Sequence, residues 1–264
     1  MTHGLNNTFL YTGCRIISSF GNGTNTASIS GTGFFINKEN NVFLITNRHM
    51  VDIEYGDVRK QYSGYKLLEF TIDNRRNDPK THLPTDIVEI KIQNIDEFYF
   101  PEVKENDIAC LKNIKYLGGD VSIDFPIPYS LIATEEKIKE KLSVCDFVAF
   151  PGFPEWYDKR NNNPILRTGA LASDPRFDYS NEKEFMGNCI AYEAFSSGGS
   201  SGSPVFAIQK GFPTGPGLTA PENFYREILL IGINAGHFEA IYGQHSGISY
   251  LYKSSEIIKL IDKK

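Results

Sequence analysis

The chain has 264 residues, of which 41% are hydrophobic and 22% charged, an ordinary globular composition with enough apolar material for one large unit or two small barrels. A formal net charge of −5 argues against a nucleic-acid surface, because phosphate binding wants clustered Lys and Arg. The apolar stretches are strand-sized, well short of the roughly 18 residues of a membrane-spanning helix.

Residues Met1 to Asn7 are polar, and Thr8-Phe9-Leu10-Tyr11 is too short for the apolar core of a secretory signal, so a cytoplasmic protein without membrane contact is expected. Cys14, Cys110, Cys145 and Cys189 lack close paired spacing and lie in or beside predicted strands. Buried free thiols are therefore expected, in preference to disulfides or a zinc site. Neither a metal nor an organic cofactor is implied.

Short runs of Val, Ile, Phe and Tyr between Gly, Pro, Asn and Asp predict an all-β barrel class. In chain order the first set is Arg15 to Phe20, Gly33 to Asn37, Val42 to Thr46, Leu67 to Ile72 and the alternating Ile87 to Ile92. Gly118 to Leu142 reads as a bridge, with Pro126, Pro128 and a helix-prone run from Glu135 to Lys141. The second set is Asp146 to Phe150, Ile165 to Ala172, Cys189 to Glu193, Pro204 to Ala207 and Ile228 to Asn234. Asp52 to Tyr65, Asn74 to Pro84, Trp156 to Asn163 and Lys210 to Pro221 are predicted as long loops. A short C-terminal helix within Lys253 to Lys264 puts Ile257, Ile258, Leu260 and Ile261 on its apolar face, with Lys259, Lys263 and Lys264 solvated.

The richest motif is Gly198-Gly199-Ser200-Ser201-Gly202-Ser203-Pro204-Val205-Phe206. A serine hydroxyl is a weak nucleophile at neutral pH and needs a base. His49, closing an apolar strand, is the candidate base, since imidazole titrates near neutrality. Asp107, opening Asp107-Ile108-Ala109-Cys110-Leu111, is the candidate that fixes the ring tautomer and stabilises the imidazolium. Glycines flanking Ser201 let the backbone turn sharply and aim the amides of Gly199 and Ser201 at a developing oxyanion.

In this order and with these strands, the chain resembles trypsin-like (chymotrypsin-fold) serine peptidases of the bacterial type, nearest in motif to glutamyl endopeptidases and exfoliative toxins. Further matches are Gly31-Thr32-Gly33-Phe34-Phe35-Ile36, Val144 to Pro154, Arg167-Thr168-Gly169-Ala170-Leu171 and Leu230 to Gly236. The resemblance implies two six-stranded antiparallel β-barrels with a short C-terminal helix. Residues 1–120 would form the barrel carrying His49 and Asp107, and residues 121–264 the barrel carrying Ser201. It also implies an endopeptidase acting through an acyl-enzyme on a protein or peptide substrate. Because free proteolysis in a cytoplasm would be harmful, restraint by narrow specificity or an activating partner protein is expected. Two alternatives stay open, a catalytically silent protease-fold binding module and an esterase using the same three residues.

Several positions depart from the family. Met50 stands where secreted animal relatives carry a cysteine. Ser200 replaces the aspartate that pairs with a newly cut N-terminus in zymogens, so no propeptide cleavage is expected. The resemblance places Phe195, Ser196, Asn234, Ala235, Gly236 and His237 at the substrate site. Phe195 occupies the position of the trypsin-like specificity aspartate, and Asn234 that of the glutamyl endopeptidase histidine. A mostly uncharged pocket for a small-to-medium apolar or polar P1 residue is expected, with His237 and His245 near it in sequence. Ala235 replaces a serine that supports the catalytic aspartate, while the backbone of Ala235 to His237 can pair with an extended peptide.

Overall fold

The computed structural model describes residues 5–56, 61–118, 121–181, 184–211, 225–240 and 243–263. Most of the expected Lys210 to Pro221 loop and the end of the C-terminal lysine run lie outside them. The first half forms β1 (Gly13–Gly21), β2 (Thr26–Lys38), β3 (Asn41–Thr46), β4 (Lys66–Asn77), β5 (Pro84–Lys91), β6 (Phe98–Tyr99), β7 (Ala109–Leu111) and β8 (Ile127–Pro128). Their order is β5-β4-β1-β2-β3-β7-β6, with β8 added in parallel beside β2. β2 and β4 are longer than their apolar cores predict. Much of the expected Asn74 to Pro84 loop is hairpin, because Arg75 pairs Ile87 and Asn77 pairs Pro84.

This first unit differs from the expected six-stranded barrel: it is an eight-stranded sheet whose ladder is not closed. An Ile92–Tyr116 bridge and two bonds, Gln93 N–H to the Lys115 carbonyl and Leu117 N–H to the Lys91 carbonyl, join its ends. The pairing stops there for a local reason. The Asn94 side chain accepts from Lys115 N and donates to the Asn113 carbonyl, taking up groups that further strand pairing would use.

The second half does close. Helix α1 (Glu135–Lys141), capped by Thr134 accepting from Lys137 N at 3.3 Å, leads into β9 (Phe147–Gly152), β10 (Ile165–Leu171), β11 (Cys189–Glu193), β12 (Pro204–Ala207), β13 (Leu229–Glu239) and β14 (His245–Lys253), then α2 (Ser254–Asp262). The barrel runs β10-β11-β14-β13-β12-β9. β14 is the strand that the apolar-run reading did not anticipate, although Ile248, Tyr250 and Tyr252 alternate in it.

Period-2 alternation separates two faces of this barrel. Val148, Phe150, Ile190, Tyr192, Ala194, Leu229, Ile231 and Leu251 fill its lumen. Outward-facing Phe206, Ile233 and Tyr252 join Phe34, Ile36, Ile45 and Ile108 of the first sheet and Ile257, Leu260 and Ile261 of α2 in one shared core. Each fully buried side chain of this size contributes about 1.5–3 kcal/mol, so the shared core holds the two halves in fixed relation. Cys14, Cys110 and Cys189 are buried free thiols, as expected, but Cys145 is exposed, in a turn with φ +66.

Candidate active site

Strand register brings His49 and Asp107 together. β3 pairs antiparallel with β7 through Thr46 and Ala109, so the chain leaving Thr46 meets the chain entering Ala109. Buried Asn47 donates its side-chain amide to the Asp107 carbonyl at 2.6 Å. The His49 backbone N–H then reaches Asp107 Oδ1 at 2.9 Å, and His49 Nδ1 lies 2.6 Å from Asp107 Oδ2. One carboxylate thus grips both the backbone and the ring of the histidine, leaving Nε2 as the free ring nitrogen. Tyr55, Tyr250 and Tyr252 surround this pair. Burial foremost, and the Asp107 charge in part, push these phenols up, Tyr250 to about 12, so they stay neutral.

The Ser201 loop is shaped by two glycines with φ +89 (Gly199) and +87 (Gly202). A Cβ at Gly199 would lie 2.1 Å from the Phe153 carbonyl oxygen, and one at Gly202 would lie 1.9 Å from that of Thr32. Three successive carbonyls of the loop turn into the protein. Gly199 O accepts from Thr32 Oγ1 at 2.7 Å, Ser200 O from Asn234 Nδ2 at 2.8 Å, and Ser201 O from Thr32 N at 2.8 Å. Because a trans peptide points its N–H opposite its C=O, the inward Ser200 carbonyl directs the Ser201 amide outward. Among the described residues the amides of Gly199 and Ser201 meet no acceptor, the condition that oxyanion donors require.

Half-buried Ser201 lines the same cleft as His49, Gly198, Gly199 and Phe153. Its hydroxyl makes no hydrogen bond among the described residues, and no serine-to-histidine bond is formed among them. Such bonds commonly tighten only when substrate is present. Ser200 is buried, and its hydroxyl has no partner among the described residues.

The expected substrate residues divide. Phe195 is 66% exposed with its ring 4.9 Å from that of His245, and His237 stacks on His245 at 4.2 Å. Ser196 is buried, its hydroxyl 2.9 Å from that of Ser249. Asn234 is not brought to the cleft surface. It is 1% exposed and spent on structure, taking the Tyr192 hydroxyl at 2.6 Å while holding the Ser200 carbonyl. Ala235 is also buried, and Gly236 and His237 remain partly open. Beyond Ile233, β13 keeps β14 on one side but has left β12 on the other, and from Ala235 onward its second edge has no strand partner among the described residues.

Thr32, Asn47 and Tyr192 escaped the sequence reading. Each acts by holding backbone or another side chain, and short motifs carry little trace of such roles beyond the placement of Thr32 between two glycines. Among the described residues no cluster of His, Cys, Asp and Glu could hold a metal ion, and no helix is long and apolar enough to cross a membrane.

Comparison with known proteins agrees with this fold. Solved structures of similar fold include the protease Anisep from Arthrobacter nicotinovorans, with TM-score 0.54 and 12% identity over 93% of this chain and 91% of that one. The thermostable serine protease AL20 from an extremophilic microorganism has TM-score 0.54 and 12% identity, covering 96% of both chains. Deg5 has TM-score 0.52 and 14% identity, over 96% of this chain and 88% of its own. At these identities the likeness is one of fold. A search of curated proteins finds no match. The model of the trypsin-like peptidase domain, however, matches residues 31–215, more than half the chain and a span that includes His49, Asp107 and Ser201, and on that match the chain belongs to the trypsin-like peptidase family.

Proposed function

We propose that the chain is a serine endopeptidase that hydrolyses peptide bonds through an acyl-enzyme. The observation that carries this reading is the meeting, in one cleft, of a carboxylate-locked imidazole and a serine on a glycine-shaped loop with open amides. Ser201 Oγ attacks the peptide carbonyl carbon as His49 Nε2 takes its proton. The carbonyl π electrons move to oxygen, where the amides of Gly199 and Ser201 receive the charge. Collapse of the tetrahedral intermediate breaks the C–N bond, and His49 gives its proton to the leaving amine. Water then repeats the sequence on the acyl-serine, with His49 again as base. The unpaired edge from Ala235 to His237 favours an extended peptide over a simple ester, because it offers main-chain groups to a strand-like substrate. The free thiols of Cys14, Cys110 and Cys189 support a reducing compartment.

The test is intact-mass labelling with a small fluorophosphonate. Wild type should gain one adduct, mapped to Ser201, and His49→Ala and Ser201→Ala should gain none. Labelling of the wild type elsewhere, or at Ser201 regardless of His49, would overturn the reading.

A further inference from the structure

The cations of the described residues are not all matched by carboxylates. Arg15, Arg48, Arg76, Arg176 and Arg226 each pair with an aspartate. Arg167 on β10 pairs with no carboxylate among the described residues. Its guanidinium lies over the Trp156 ring, 5.1 Å from the centroid, and its Nη1 is buried without an acceptor. A buried donor left unmade is costly, and more so when it is charged.

Register shows where this cation points. Arg167 lies opposite Phe150, and directly opposed residues share a face. Phe150 faces the lumen of the second barrel, with its ring 5.6 Å from that of Tyr192. His237 lies opposite Ser249, whose hydroxyl meets that of Ser196, and the His245 ring stacks on that of His237 at 4.2 Å. Arg167, Ser196, His237 and His245 therefore gather at one mouth of the barrel. Asn234, which holds the Ser200 carbonyl, stands on that same lumen face, opposite Leu251.

His245 is not a second fixed cation. The Ser196 amide lies 3.1 Å from its Nε2 and the Gly247 amide 2.8 Å from its Nδ1, so only donors face the ring. A neutral imidazole accepts at one nitrogen, and an imidazolium would accept at neither. Burial first, then His237 and Arg167, hold its pKa below the ordinary imidazole value. The ring is a neutral wall, and the permanent charge at the mouth is Arg167.

We propose that Arg167 is a specificity-determining residue of the serine site, selecting an acidic side chain, aspartate or glutamate, at P1 on the acyl side of the cleaved bond. This rests on the peptidase reading, and it replaces the expectation of an uncharged pocket. The substrate carboxylate supplies the acceptor that Nη1 lacks. Phe195, two-thirds exposed at the rim, contributes apolar surface to the methylene stem. A guanidinium suits this task because its planar fork matches a carboxylate and it remains charged at every physiological pH.

The test is protection of Ser201 from fluorophosphonate by matched peptide aldehydes ending in Glu, Gln or Lys. In wild type the Glu aldehyde should protect at a concentration about 100-fold lower than the Gln aldehyde, the scale expected for a desolvated charge pair. In Arg167→Gln that ratio should fall to about 5 or less, with Arg167→Lys between the two. The ratio is internal to each variant, so partial misfolding cancels from it. Equal or better protection by Gln or Lys in wild type, or a ratio unchanged in Arg167→Gln, overturns the Arg167 assignment while leaving the serine chemistry in place. Absence of Ser201 labelling in the wild type overturns the peptidase reading and this assignment together.

Discussion

The two ends of β14 treat buried polar groups in opposite ways. At the end near α2, Lys253 is 2% exposed but fully matched: its Nζ meets Asp178 at 2.8 Å and Glu135 at 3.6 Å, and its backbone N–H donates to Asn188 O. Ser254 and Ser255 beside it bond the Ala133 carbonyl and Glu135. At the His245 end, the Arg167 Nη1 and the hydroxyls of Ser197, Ser200 and Ser203 are buried without partners among the described residues, the amides of Gly199 and Ser201 meet no acceptor among them, and Phe195 stands in solvent. Unmatched buried polarity costs free energy. Along this strand, the cost falls at the end where a ligand can relieve it.

Substitutions at the two ends should therefore separate activity from stability. Ser201→Ala should lower kcat by about a million-fold, as removal of a serine nucleophile does, while leaving the melting temperature unchanged or slightly raised. Peptide turnover and a thermal scan on one preparation would check both halves, and a large loss of stability would break the contrast. Asp107→Asn should follow with a loss of about 10,000-fold in kcat, because the amide favours the wrong imidazole tautomer. Its circular dichroism should match wild type.

Lys253→Met should do the reverse. Asp178 and Glu135 are each about one-third exposed, so water offsets part of the loss and about 1–3 kcal/mol of stability should go, with the rate per folded molecule unchanged. Burial raises the Glu135 pKa, but Lys253, Ser255 and Lys139 together outweigh it and leave the carboxyl below its ordinary value. A depressed carboxyl stabilises the fold above its unfolded pKa, and that contribution fades as pH falls through the folded one. Denaturant midpoints across the acid range should thus decline less steeply in Lys253→Met than in wild type. The smallest effect should come from Phe147→Ser. Phe147 is 70% exposed, so urea unfolding should move by about 0.5 kcal/mol or less.

Much of the candidate site was readable before the fold. His49, Asp107 and Ser201 stand in informative surroundings, an apolar strand running into a turn, an aspartate leading an apolar run, and a glycine-flanked serine, and the fold sets His49 against Asp107 and in the cleft that Ser201 lines. The glycine reading was sharpest at Gly199 and Gly202, where positive φ and contacts near 2 Å leave no room for a side chain. Asn234 was misread, because sequence position cannot tell a residue that faces the cleft from one that braces the loop beneath it. Its neighbour across the barrel, Tyr192, lies 42 positions away. Closure of the first barrel was overestimated for a similar reason, since Asn94 ends the pairing through a side chain that looks like any loop asparagine.

The sequence by itself determined the fold class and which residues have the chemistry for nucleophilic attack, because residue type and strand periodicity are local properties. Only the tertiary structure decided which polar groups find partners. Arg167 and Lys253 are both cations on barrel strands, yet Lys253 meets carboxylates brought from distant positions and Arg167 meets none among the described residues. Charge pairing in a β-barrel depends on contacts between residues far apart in the chain, and those exist only once the strands have closed.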